Sequence, residues 1–249
     1  MRSLLVPKDR VIYIDVSGLP AHGICQMLLA VRGAFPVHSV VCVYTAANEY
    51  YPTEKEFRSS VNPQGRIDSL SLPDSLTYEA ADNLILNVFS GFSVRQERTC
   101  LVLFAGFEKH RSVAAIESCN PSRLLVVYAR SAETSLSWRE DLSRQLHADL
   151  LPGVERAEEA LLTTQVADVC EVLELYYSMV YDDMAVVLAP LNSKLHTIAC
   201  YLFWELYRDV QLSFPLPVRY IPARSSRGVG RTYRVELPRT PQVSALLGA

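Results

Sequence analysis

Three stretches of this 249-residue chain gather side chains able to grip an anion. The first, "LVLFAGFEKHR" (101–111), runs five apolar positions into Gly106 and then Phe107, Glu108, Lys109, His110 and Arg111. The second, "LAPLNSKLHTIA" (188–199), passes through Pro190 to Asn192 and Ser193, either of which can cap a helix, with Lys194 in its first turn. A helix dipole favours acids in that turn. A Lys there, beside free backbone N–H groups and a hydroxyl, is an arrangement that holds phosphate. The third, "PLPVRYIPARSSRGVGRTYRVELPR" (215–239), crowds Arg219, Arg224, Arg227, Arg231, Arg234 and Arg239 around two glycines. Each stretch also has a plainer reading. Gly106 makes a turn and Glu108 complements a dipole; Ser193 is an ordinary cap with a solvated Lys; the Arg-rich tail is a surface hairpin with a "GVG" turn.

Bond-breaking chemistry has no comparable support. Asp15 ends the first strand and is followed by Ser17 and Gly18, an order that suits a catalytic Asp or a phosphate contact, but Ser17 reads sooner as a helix cap. The histidines, at 22, 38, 110, 147 and 196, are spread out, and no Gly-x-Ser-x-Gly elbow occurs. The six cysteines form no CxxC pair and no metal-ligand spacing, so no metal is expected to be needed for folding and no cofactor is implied. A binding protein is expected ahead of an enzyme.

The chain is 49% hydrophobic, enough to bury a sizeable core, and its net charge of -3 gives no general affinity for nucleic acid or anionic membranes. Anion recognition must therefore be local. Scattered cysteines inside apolar runs such as "SVVCVY" suit a reducing cytoplasm. Lys8, Asp9 and Arg10 come too early for a signal peptide, and no run approaches the roughly 20 apolar residues of a spanning helix. A cytoplasmic location with no membrane contact is the expectation.

The elements that must position these stretches alternate along the chain. Strands are expected at 10–15, 37–44, 83–92, 99–104, 123–129, 158–164, 184–190 and 210–214, and 45–82 reads as a long polar loop with short helical pieces. Apolar positions at helical spacing mark helices carrying Ile24, Leu28 and Val31; Trp138, Leu142 and Leu146; Val169, Leu173 and Val180; and Ile198, Leu202 and Leu206. On the second of these, Arg139, Glu140, Ser143 and Arg144 read as an exposed face. Continuous apolar strands alternating with one-sided helices predict an α/β, Rossmann-like fold with a mostly parallel sheet and helices on both faces. An N-terminal β-α-β half with its polar loop (1–95) is expected to precede a Rossmann-like half with an Arg-rich C-terminal hairpin (96–249), the two forming either separate domains or one. Such sheets bind ligands at the carboxyl ends of their strands, where 106–111 and 191–194 would lie.

A strand ending in "GFExxR"-like residues and a later one ending in a small polar cap followed by Lys resembles the CRISPR-associated Rossmann-fold (CARF) nucleotide sensors of bacterial defence. Ser193 and Lys194 match the family's second ligand turn, and Glu108 with Arg111 approximate its first; Leu191 and Asn192 stand where that turn has glycines. The resemblance covers residues 99–215. It implies a regulatory component that binds a nucleotide-like, phosphate-bearing ligand and works with a protein effector partner, with a homodimer allowed. Gly106, Glu108, Arg111, Asn192, Ser193, Lys194, Arg219 and Arg227 are the expected ligand residues, Arg227 closing over a ligand held by an exposed Lys194. The alternative is a non-catalytic accessory subunit that binds a protein partner through aromatic residues such as Tyr50, Tyr51 and Trp138.

Overall fold

A computed structural model describes residues 10–65, 67, 77–84, 86–91, 98–221 and 226–239, with side chains for all but 77–83, 219 and 220. Its centre is a sheet of five parallel strands: Thr99–Ala105 (β4), Arg123–Arg130 (β5), Glu155–Leu162 (β6), Ala185–Pro190 (β7) and Gln211–Leu212 (β8). Their order is β6-β5-β4-β7-β8, so the chain steps outward from β4 in one direction, then returns to the other side of β4. This is the Rossmann-like arrangement, and its topological switch point lies between β4 and β7.

Helices cover both faces because the strand residues alternate with period two. Cys100, Val102 and Phe104 of β4 join a core with Leu125 and Val127 of β5 and Leu188 of β7. Against that face pack Lys194–Leu206 (α6), through Ile198 and Leu202, and Val166–Val180 (α5), through Val169 and Leu173. Leu101, Leu103 and Ala105 point the other way, onto Ala115 and Ile116 of Lys109–Cys119 (α3). Trp138–His147 (α4) follows β5 and buries Leu142, Ser143, Leu146 and His147.

The N-terminal residues build a second, three-stranded sheet. Val11–Asp15 (β1) pairs parallel with Ser39–Thr45 (β2), the two joined by Ala21–Ala34 (α1). Ile24, Cys25 and Leu28 of α1 belong to the same hydrophobic cluster as α6 and the large sheet. Thr232–Leu237 (β10) closes this sheet antiparallel to β2. A short helix, Glu54–Ser60 (α2), lies in the polar stretch and carries a full capping box between Thr53 and Glu56.

Four expectations need correction. Residues 83–92 do not form one strand: Thr77–Leu84 (β3) precedes a 3-10 turn at Asn87–Phe89. Gly91 has φ +66 and approaches the Asp209 carbonyl so closely that a Cβ would lie 2.5 Å from it, so this glycine marks a turn. The predicted 210–214 strand divides into β8 and Phe214–Tyr220 (β9), which pairs antiparallel with β3. The Arg-rich tail does contain a strand, β10, yet among the described residues its strand partner is β2 and not the chain just before the "GVG" turn. Ser17 does not cap α1, whose N-cap is Pro20; its Oγ instead accepts from the Thr45 N–H, tying β1 to the end of β2. No helix among the described residues is long and apolar enough to cross a membrane.

Candidate functional site

The β4–α3 and β7–α6 loops meet at the switch point. A Cβ on Gly106 would fall 2.6 Å from the Leu191 carbonyl oxygen, so only glycine lets the two loops come this close. From behind, Ser143 of α4 donates to the Gly106 carbonyl at 2.9 Å, fixing the loop from the α4 side. Ser143 is therefore buried, at 3% exposure, and the expectation of an exposed Ser143 fails because its short side chain points at this loop.

Beyond the joint, Ser193 caps α6, its Oγ accepting from the His196 N–H at 3.0 Å. Asn192 braces the turn: its amide donates to the Val127 carbonyl at 3.3 Å and its oxygen accepts from the Ser193 N–H at 2.5 Å. That same oxygen lies 3.0 Å from His196 Nδ1, while His196 Nε2 lies 3.0 Å from the Leu162 carbonyl. Burial pushes the His196 pKa down to about 4, so the ring is neutral at pH 7 and donates to one of these oxygens at a time.

Lys194 reaches across to the N-terminal sheet. Its Nζ donates to the Leu19 carbonyl at 2.5 Å, in the loop leaving the carboxyl end of β1. It is half-buried, not exposed as expected, because that loop lies over it. Burial lowers its pKa, and among the described residues no carboxylate pairs with it. Arg111 is differently placed, donating through Nε to the Pro215 carbonyl at 3.0 Å and through a terminal nitrogen to Glu108 at 3.0 Å. Glu108 is the N-cap residue of α3 but makes no side-chain cap bond; Arg111 takes its carboxylate instead.

Arg227 stands apart from these residues. It is exposed, bridges Glu49 through its backbone and lies over the Tyr51 ring, 5.5 Å from the centroid. It joins the loop after β2 and not the loop after β7. The Arg219 side chain lies outside the described residues; its backbone sits in β9 opposite Tyr78.

Sequence reasoning missed Arg139. It does not face solvent freely, since the 50–52 segment lands on it: its guanidinium donates to the Pro52 carbonyl at 3.0 Å and the Tyr50 carbonyl at 3.3 Å. It also lies over the Phe107 ring at 4.3 Å and the Trp138 ring at 5.1 Å. Burial pushes its pKa down to about 10, and no carboxylate among the described residues pairs with it. Glu140 and Arg144 are no free face either. Glu140 binds Arg130 and Arg144, whose charges and hydrogen bonds hold its carboxyl below the usual range.

One pair resembles a nucleophile and its base: Ser112 Oγ lies 2.9 Å from His147 Nε2, and His147 Nδ1 lies 2.7 Å from the Ser143 carbonyl. The carbonyl fixes the proton on Nδ1, leaving Nε2 to accept from the serine. Both side chains have no exposure, so no substrate reaches them and the pair serves to join α3 to α4. No three His, Cys, Asp or Glu side chains among the described residues come together as a metal site. No protein-family model matches the chain, and a search of curated proteins finds no match.

Proposed function

We propose that this protein is a cytosolic, CARF-like sensor or regulatory component of a defence or signalling system, binding a phosphate-bearing, nucleotide-like ligand at the carboxyl edge of its five-stranded sheet. The observation that carries the reading is Lys194, a half-buried cation at the N-terminus of α6, beside the switch point, whose partner is a neutral carbonyl. An anion adds to the ammonium's hydrogen bond a charge–charge attraction that a neutral carbonyl does not supply, and α6 adds its dipole in the same place. Ser193, Asn192 and Gly106 shape the turn. A sensor of this kind passes its signal to a protein effector.

A second reading, a non-catalytic accessory subunit, is favoured by the outer face of α5. Leu175, 59% exposed, and Met179, 56% exposed, stand one helical turn apart, with Tyr181 exposed just beyond the helix. Thermal shifts with mono-, di- and cyclic nucleotides separate the two readings. A ligand at about 100 times its dissociation constant stabilises the fold by about 2.7 kcal/mol. The expected result is a shift in the wild type that Lys194→Met abolishes. No shift with any member of the panel defeats the sensor reading and leaves the accessory one.

A further inference from the structure

Lys194 has a counterpart. It seats the loop after β1 by donating to the Leu19 carbonyl, and Arg139 seats the loop after β2 by donating to the Tyr50 and Pro52 carbonyls. Both loops leave carboxyl ends of the N-terminal sheet, and both dock on the carboxyl edge of the large one. The two cations are linked by a short run of contacts: Arg139 lies on Phe107, and Gly106 abuts the Leu191 carbonyl, three positions before Lys194. Elsewhere among the described residues the half-buried cations meet carboxylates, as with Arg111 and Glu108 or Arg144 and Glu140. Here the two meet backbone oxygens and ring faces.

We propose that Arg139 and Lys194 form a two-point site for a ligand bearing two or more anionic groups, and that the loop carbonyls are stand-ins which the ligand displaces. Strands β5 and β7 flank β4, so their carboxyl ends are about 10 Å apart. Cations rooted beyond two different strand ends call for an anion with charges on several linked phosphates, whereas a single phosphate reaches one cation only. An anion outcompetes a neutral carbonyl for a guanidinium or ammonium donor and removes the cost of leaving those charges uncompensated away from water. Burial has depressed the pKa of both groups, as expected of cations lacking a counter-ion. Exchange of partners frees Leu19, Tyr50 and Pro52, so binding at the switch point loosens residues 17–20 and 46–53. That loosening is the signal. This inference rests on the ligand site proposed above and adds Arg139, the polyanion and the loop release to it.

Calorimetry with inorganic phosphate and inorganic tripolyphosphate, joined to hydrogen exchange at 17–20 and 46–53, tests it on the intact chain. Tripolyphosphate is expected to bind at least ten-fold tighter than phosphate, Arg139→Met and Lys194→Met each to weaken it ten-fold or more, and Arg139→Lys to retain most of the binding. Exchange at both loops is expected to rise on adding tripolyphosphate to the wild type. If Lys194→Met abolishes binding while Arg139→Met leaves it unchanged, the two-point site is wrong and the ligand site of the previous section stands. Binding that protects both loops from exchange overturns the stand-in role of the carbonyls. If neither tripolyphosphate nor any nucleotide binds, both proposals fall together.

Discussion

Arg32 and Arg139 are two arginines with opposite surroundings. Arg32, in the last turn of α1, is 5% exposed and meets Glu205 of α6 at both ends of the carboxylate, 2.8 and 2.5 Å, with its third nitrogen on the Pro238 carbonyl at 2.8 Å. Arg139 lies against carbonyls and aromatic rings with no carboxylate among the described residues. The first is a permanent joint, holding α1, α6 and the end of β10 together. The second holds a loop in place while leaving its charge unanswered. A fold that needs only adhesion at the carboxyl edge has no reason to place uncompensated cations there, and that contrast is the physical basis of the binding-site reading.

Breaking the joint should have the largest effect. Arg32→Met leaves the Glu205 carboxylate buried without its partner, and a loss of about 3–5 kcal/mol is expected in urea unfolding at pH 7. A loss below 1 kcal/mol would put the two arginines in the same class. Acid should act next, through His147 and His196. Burial lowers both from about 6.5 to about 4, so the unfolded chain takes up their protons first as the pH falls. Their contribution is fully present above pH 6.5 and is lost progressively down to pH 4, by roughly 3 kcal/mol for each. Urea unfolding at pH 7 and pH 5 reads this directly, and His147→Gln should flatten part of the slope.

Smaller effects are expected at the carboxyl edge itself. Gly106→Ala forces its loop and that of Leu191 apart, for about 2 kcal/mol. Arg139→Met removes hydrogen bonds to neutral acceptors and a cation over rings, but also an uncompensated charge, so the change is expected to stay within about 1 kcal/mol. If Arg139→Met costs as much as Arg32→Met, adhesion explains Arg139 fully. Arg58→Ala sets the lower end of the scale: its i,i+4 pair with Glu54 is exposed and is expected to contribute under about 0.5 kcal/mol.

The sequence made the parallel sheet legible because β4, β5 and β7 are buried on both faces and read as unbroken apolar runs. β3 was illegible for the opposite reason. "TYEAADNL" belongs to a two-stranded ribbon, with polar residues and no apolar run to mark it. The turn around Ser193 was readable, since capping is local and Ser193 lies three residues from the N–H it accepts. The destination of Lys194 was not, because Leu19 is 175 positions away and offers a backbone oxygen that any residue type would supply. Arg139 failed similarly: helical periodicity tells which face of α4 meets its own sheet, not which loop lands on the other. Ser143 shows the limit within one helix, a small polar residue on a buried face that carries no apolar signal.

The pairing of β10 with β2 has a consequence for synthesis. Thr45 and Thr232 share a side-chain hydrogen bond across 187 positions of chain. At about 5–20 residues per second, a ribosome needs about 10–40 s to make that interval. Throughout it, β1 and β2 can pair while the outer side of β2 waits with open hydrogen-bonding groups, the condition under which strands associate wrongly. Of the described sheets, the N-terminal one is the first begun and the last finished. Nascent chains stalled before residue 232 should therefore leave β2 sensitive to protease, and chains stalled far enough beyond 237 for β10 to clear the ribosome should not.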